Sequence, residues 1–159
     1  MSPEMSQYDG VLKSVSIFSD VDTYGIQRLG EICQERTYSE DEIIFVEHTE
    51  GNELFIILEG EVSICLELAS EEDAMPLVTL RSGDVFGELS VVDESPRSAT
   101  ARALTQCRTL VIRKDQFDAL MESDHDLGFK VMRNLARLVS KRVRNANQKI
   151  LDNVSWGMI

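Results

Sequence analysis

Between Glu42 and Arg113 the chain repeats one pattern: short runs rich in Val, Ile and Leu, broken by Gly, Asn or Asp. The runs are "EIIFVE", "ELFIILEG", "EVSICLEL", "PLVTLR", "ATARAL" and "RTLVIR", and their length and composition predict six strands. In "EVSICLEL" the period-two alternation puts Val62, Ile64, Leu66 and Leu68 on one face and Glu61, Ser63, Cys65 and Glu67 on the other. The sheet therefore has an apolar inner face. Turn residues at Gly51-Asn52, Gly60 and Gly83-Asp84 are spaced as in a meander or Greek key, which predicts an antiparallel roll rather than a βαβ repeat. The acidic, aperiodic "ASEEDAM" reads as a solvent loop.

The flanks change period. In "TYGIQRLGEICQER", Ile26, Leu29, Ile32 and Cys33 recur at helical spacing behind the capping candidates Ser19, Asp20 and Asp22. "RKDQFDALM" predicts a short helix, and from Asp124 to about Asn153 the chain has no proline and one glycine, Gly128, which predicts one long helix. Met132, Ala136, Val139, Val143, Ala146 and Ile150 follow alternating steps of four and three, the spacing of a coiled-coil seam. Val131, Leu135 and Leu138 form a second stripe in the first half of that helix. One reading packs the first half on the roll and pairs the seam with a second copy, giving a homodimer; the other is a monomeric helix that covers the roll.

The expected fold is mainly β with flanking helices. The 159 residues fit one domain, with the first helix and roll at about 15–123 and the long helix at 124–153. Cys33, Cys65 and Cys107 are widely spaced, and with His48 and His125 the only histidines, neither a disulfide framework nor a zinc site is signalled. Two distant histidines likewise build no cupin-type metal centre and no Ser/His/Asp or Cys/His nucleophile, so no enzyme activity and no cofactor is expected. "MSPEMSQYDG" has no apolar signal core and "LFIIL" is too short to cross a bilayer, so a cytoplasmic protein without membrane contact is expected.

Charge is uneven. The chain carries −12 overall, but residues 124–154 hold 7 Lys+Arg against 3 Asp+Glu, so that segment is +4 and the remainder −16. Overall acidity argues against unspecific nucleic-acid binding, which needs clustered cations.

The candidate chemistry lies in "GELSVVDESPRSATA". The pattern predicts a turn, a glycine and a short helical turn, which leaves backbone N–H groups near Glu88 to Ser90 free to meet an anion. Gly87 has no Cβ to block a ligand from the backbone, and Arg97, after the stiff Pro96, offers a planar fork for a phosphate. Glu88 repels anions, so a molecule held here also presents a hydroxyl, as a nucleotide's ribose does. The competing reading is an internal Glu88–Arg97 salt bridge beside an ordinary loop.

"FGELSVVDESPRSATA" resembles the phosphate-binding cassette of the cyclic nucleotide-binding domain family, whose pattern is Phe-Gly-Glu-Leu and then Pro-Arg with two small residues. Phe86, Gly87, Glu88 and Leu89 match it, as do Pro96, Arg97, Ser98 and Ala99. "IFSDVDTYGIQRL", "GNELFIILEGEVSI", "LRSGDVFGE" and "CRTLVIRKDQFDALM" extend the similarity over about residues 15 to 150. The resemblance implies a β-roll of jelly-roll type with flanking helices. It also implies that Glu88 accepts from the ribose 2′-hydroxyl and that Arg97 neutralises the cyclic phosphate, helped by Ser98 and by N–H groups around Leu89 and Ala99. Phe86, and Ile64 on the inner face, join the ligand-binding set. Where the family often has Gly, this chain has Asp41, and where it has Gly-Asp this chain has His48-Thr49, which leaves room for differently shaped turns.

The same resemblance makes the ligand cAMP, or cGMP, since Ser98 does not decide between the bases. It places base contacts on the long helix near Arg142 and Val143; Arg142 then stacks on the base or is a solvated basic residue. Trp156 in "VSWGMI" is either a lid or part of a frayed terminus. Transcription factors of the family continue into a helix-turn-helix for which the residues after Asn153 leave no room, so DNA binding is not expected. The expected role is a stand-alone sensor that signals to an unidentified protein effector through the long helix; the alternatives are a ligand-free interaction scaffold and the regulatory fragment of a larger effector.

Overall fold

The computed structural model describes residues 7–67 and 74–157, with side chains to Val154. Helix α1 (Asp9–Ser14) and a 3₁₀ turn (Ser16–Phe18) lead into α2 (Thr23–Glu31). Asp22 caps α2 by accepting from the Gly25 N–H at 2.8 Å, as its position before the apolar period predicts. Eight strands follow among the described residues: β1 (Cys33–Tyr38), β2 (Ile43–Phe45), β3 (Glu53–Glu59), β4 (Val62–Leu66), β5 (Met75–Leu80), β6 (Val85–Phe86), β7 (Thr100–Ala103) and β8 (Cys107–Arg113). A short helix, α3 (Glu88–Asp93), interrupts them, and α4 (Lys114–Ser123) and α5 (His125–Gly157) close the described chain.

The strands form two four-stranded antiparallel sheets, ordered β1-β8-β3-β6 and β2-β7-β4-β5. The central strand β3 explains its own unbroken apolar run. Leu54 and Ile56 point into a core built with α1, α2, α4 and α5, while Phe55 and Ile57 point between the sheets to meet Val62, Phe86, Ala101 and Val111. A strand buried on both faces keeps no polar alternation.

One expectation needs correction. The helical period carried α2 through Ile32 and Cys33, but the helix stops at Glu31 and Cys33 opens β1. Strand β1 is specified by its partner, since Cys33 to Tyr38 pair residue by residue with Ile112 to Cys107 of β8. Its β signal is hidden under ion pairs on both faces: Arg36 with Glu53 at 2.8 Å and Glu35 with Arg108 at 2.6 Å. Strand β4 also departs from strict alternation. Its register shifts between Ile64 and Cys65, and Cys65, expected outside, is buried. Leu68 and most of the acidic stretch lie outside the described residues.

Asp41 and His48 stand with φ of 67° and 68°, the left-handed conformation that glycine takes without strain. The turns thus keep a glycine-like backbone with heavier residues.

Asp124 is the sole residue between α4 and α5, and its carboxylate accepts from the Leu127 N–H at 3.1 Å to cap the long helix. Helix α5 runs 33 residues, four beyond the expected end at Asn153. Val131 and Leu135 are buried in the core with Leu138 packed beside them, whereas Met132, Val143 and Ile150 of the other stripe are exposed. Asn134 fixes the helix to the 3₁₀ turn by donating to the carbonyls of Ile17 and Ser19 at 3.2 and 2.8 Å.

Candidate functional site

The cassette leaves the inter-sheet core at Phe86, which stacks on Phe55 with ring centroids 4.8 Å apart. The chain then turns at Gly87, whose φ is +79°. A Cβ there would lie 2.9 Å from Arg97 Nη1 and 2.9 Å from the Glu53 carbonyl oxygen, so both conformation and space exclude a side chain. Helix α3 begins at Glu88 with no side-chain cap.

Arg97 is anchored at both levels. Its N–H donates to the Thr49 carbonyl and its carbonyl accepts from the His48 N–H, each at 2.8 Å. Nη1 donates to the Gly87 carbonyl and Nη2 to the Glu53 carbonyl, each at 2.9 Å, and the guanidinium lies over the Phe45 ring at 4.1 Å from its centroid. The residue is 4% exposed, its Nε has no hydrogen-bond partner, and no carboxylate pairs with it among the described residues. Burial lowers its pKa, while the charges of Glu53 and Glu88 act the other way. A guanidinium desolvated among aromatic rings and neutral carbonyls carries a charge that no carboxylate pairs directly.

Glu88 is 5% exposed, and its partner is Arg142 of α5, whose Nη1 donates to Oε1 at 2.6 Å. Nη2 of Arg142 also donates to the Val85 carbonyl. The internal Glu88–Arg97 bridge weighed as the competing reading is not formed. Arg142 is not simply a solvated basic residue, because its guanidinium is held at the carboxylate. Two helical turns further on, Lys149 donates to the Leu77 carbonyl, so α5 holds the roll at a second point.

These groups surround one cavity of about 340 Å³, within the roughly 300–1,000 Å³ common for small-molecule sites. The nine residues singled out from sequence, Ile64, Phe86, Gly87, Glu88, Leu89, Arg97, Ser98, Ala99 and Arg142, all line it. Its lining combines the charged Arg97, Glu88 and Arg142 with the apolar Leu77, Val78 and Leu80. The Trp156 side chain lies outside the described residues.

Sequence reasoning missed Phe45, the apolar lining and Gly51. A Cβ on Gly51 would stand 2.3 Å from Arg97 Nε and 2.5 Å from its Cζ, so this glycine makes room for the guanidinium. In the sequence it reads only as a turn before Asn52, because a close approach leaves no periodic trace. Among the described residues no group of His, Cys, Asp and Glu is placed to hold a metal, and no helix is long and apolar enough to cross a membrane.

Residues 35–124 match the family described as the cyclic nucleotide-binding domain. The chain is 31% identical over 130 residues to the cAMP-dependent protein kinase regulatory subunit of Schizosaccharomyces pombe, covering 82% of this chain and 29% of that protein. It is 27% identical over 144 residues to a CRP-like cAMP-activated global transcriptional regulator of Mycobacterium tuberculosis, covering 91% of this chain and 62% of the regulator. The chain thus spans less than two thirds of these curated relatives. Among solved structures, a cyclic nucleotide-binding domain from Methylobacillus flagellatus superposes with a TM-score of 0.81 at 25% identity, over 92% of this chain and 85% of that one. The two curated relatives are a kinase regulatory subunit and a transcriptional regulator.

Proposed function

Since the chain belongs to the cyclic nucleotide-binding domain family, we propose that it is a sensor module whose cavity takes a 3′,5′-cyclic nucleotide, cAMP in preference to cGMP. The observation that carries this reading is Arg97: a buried guanidinium, 4% exposed, that meets only carbonyl oxygens and shares a cavity with a carboxylate. A cyclic phosphate supplies the missing anion. Its ribose keeps one free hydroxyl, at 2′, which donates to Glu88. The Ser98 hydroxyl and the N–H groups around Leu89 and Ala99 complete the phosphate cradle, and the purine lies toward Leu77, Val78 and Leu80. The preference for adenine is supported by the relatives, which are named for cAMP.

Signalling follows from competition for one carboxylate. Arg142 already holds Glu88, so a ribose hydroxyl that claims Glu88 weakens the grip of α5 on the roll. The helix can shift by no more than the ligand's differential affinity for gripped and released states. The exposed seam at Met132, Val143 and Ile150 is the surface through which two copies pair as a homodimer, and an effector protein reads the helix. We place this action in the cytoplasm, without DNA or membrane contact.

A thermal-shift series with cAMP, cGMP and AMP tests the class. A ligand at 100 times its Kd stabilises the fold by about 2.7 kcal/mol. Stabilisation by the cyclic forms alone supports the reading. No shift with any of them favours the ligand-free scaffold, for which the occupied Glu88 is the supporting observation. Hydrogen exchange along α5 that is unchanged by a bound nucleotide sinks the helix as the output.

A further inference from the structure

Residues 127–151 carry seven Lys+Arg and no Asp or Glu, in a chain with 16 of the former and 28 of the latter. The structure sorts these cations. Arg142 and Lys149 turn into the roll, and Lys130 pairs with Asp126 at 3.1 Å in the first turn of α5. Arg133, Arg137, Lys141 and Arg144 are exposed and have no carboxylate partner among the described residues. Three or four residues apart, they share the helix face away from the roll and beside, not on, the apolar seam. Like charges at this spacing each cost the helix about 0.2–0.5 kcal/mol, whereas Arg28, Arg36, Arg81, Arg108 and Arg113 each pair with a carboxylate. At the head of the stripe Phe129 is 62% exposed, with the Arg133 guanidinium 5.2 Å from its ring centroid. An open aromatic beside unpaired arginines is the residue mix enriched in the centres of protein interfaces.

We propose that this outward face of α5 docks an acidic segment of a partner protein, with carboxylates repeating about once per helical turn and an apolar side chain for Phe129. Charge complementarity selects this occupant. A nucleic acid or an anionic lipid surface is broad enough to meet the −16 of the remaining chain as well as the +4 of residues 124–154. A narrow segment meets only the stripe. A second copy offers acidic surface on its roll, but a head-to-tail contact between unlike patches builds rings or filaments of many copies rather than a simple pair. The proposal does not depend on the nucleotide reading, because none of these residues lines the cavity.

The test is anisotropy of a labelled helical peptide with Glu on one face and Leu on the adjoining one, titrated with the full chain. Binding that weakens with salt and falls at least about tenfold in R133E/R137E is expected, with a Lys/Leu peptide as the inactive control. The milder R133Q/R137Q is expected to fall between, and far-UV circular dichroism and Tm, unchanged in both, report that they are folded. No binding of the Glu/Leu peptide, or equal binding by the reversed variant, overturns the proposal. So does tighter binding to single-stranded DNA or to phosphatidylserine vesicles. Salt-sensitive growth of the protein alone into larger species that R133E/R137E abolishes assigns the face to a second copy and overturns it as well.

Discussion

Arg97 and Arg108 are the same side chain in opposite situations. On the outer face of the first sheet, Arg108 sits 43% exposed between Glu35 at 2.6 Å and Glu59 at 3.0 Å. Facing the cavity, Arg97 is sealed from water, pinned to two carbonyls and paired with no acid. The first is a complete ion-pair network with nothing left to bind. The second has given up solvent without gaining a counter-charge, a state that a domain tolerates where an incoming anion completes it. What separates an arginine that closes an ion-pair network from one able to take an anion is thus what remains unpaired around it.

Five variants bear on that contrast, in falling order of effect. Arg97→Ala is expected to weaken cAMP binding by about tenfold to a hundredfold, since each charge-assisted hydrogen bond is worth roughly 1.5–3 kcal/mol; calorimetric titration with unchanged affinity would remove Arg97 from the site. Gly51→Ala forces a methyl to within 2.3 Å of Arg97 Nε. It is expected to cost about tenfold in affinity while circular dichroism stays native, and full affinity would show that the guanidinium moves freely. Arg142→Ala releases Glu88 for the ribose and is expected to tighten cAMP binding about threefold. Weaker binding would instead make Arg142 a support for the carboxylate.

The smallest effect belongs to the outer face. Arg108→Ala is expected to leave nucleotide affinity untouched and to move Tm only slightly. Here the hydrogen bond from Arg108, aided by that from Tyr8, holds the Glu35 carboxyl below its usual range. A depressed carboxyl contributes stability that is present above its unfolded value and lost as pH falls through the folded one. Wild type is therefore expected to lead Glu35→Gln in Tm at neutral pH, with the gap closing in acid. A gap that is constant with pH would assign the difference to packing.

The same contrast explains how much was legible in the sequence. Phe86 to Ala99 is contiguous, so its turn, glycine and arginine could be read as one device, and the double stripe of α5 announced both its buried and its open faces. Contacts across the fold left no such trace. Glu88 and Arg142 meet over 54 residues of chain, Gly51 matters only because a side chain from another segment lies on it, and β1 is a strand because β8 pairs with it. Local period and turn chemistry reach as far as one element; register and close approach are settled between elements.

The two halves of α5 have a mechanical corollary. The first is fixed, by Val131 and Leu135 in the core and by Asn134 on the 3₁₀ turn, so the part able to swing begins after Leu138. At about 1.5 Å per residue the stretch from there to Gly157 makes a lever roughly 28 Å long. The clasp at Arg142 on Glu88 lies close to its base, so an ångström of slack there becomes several at the tip.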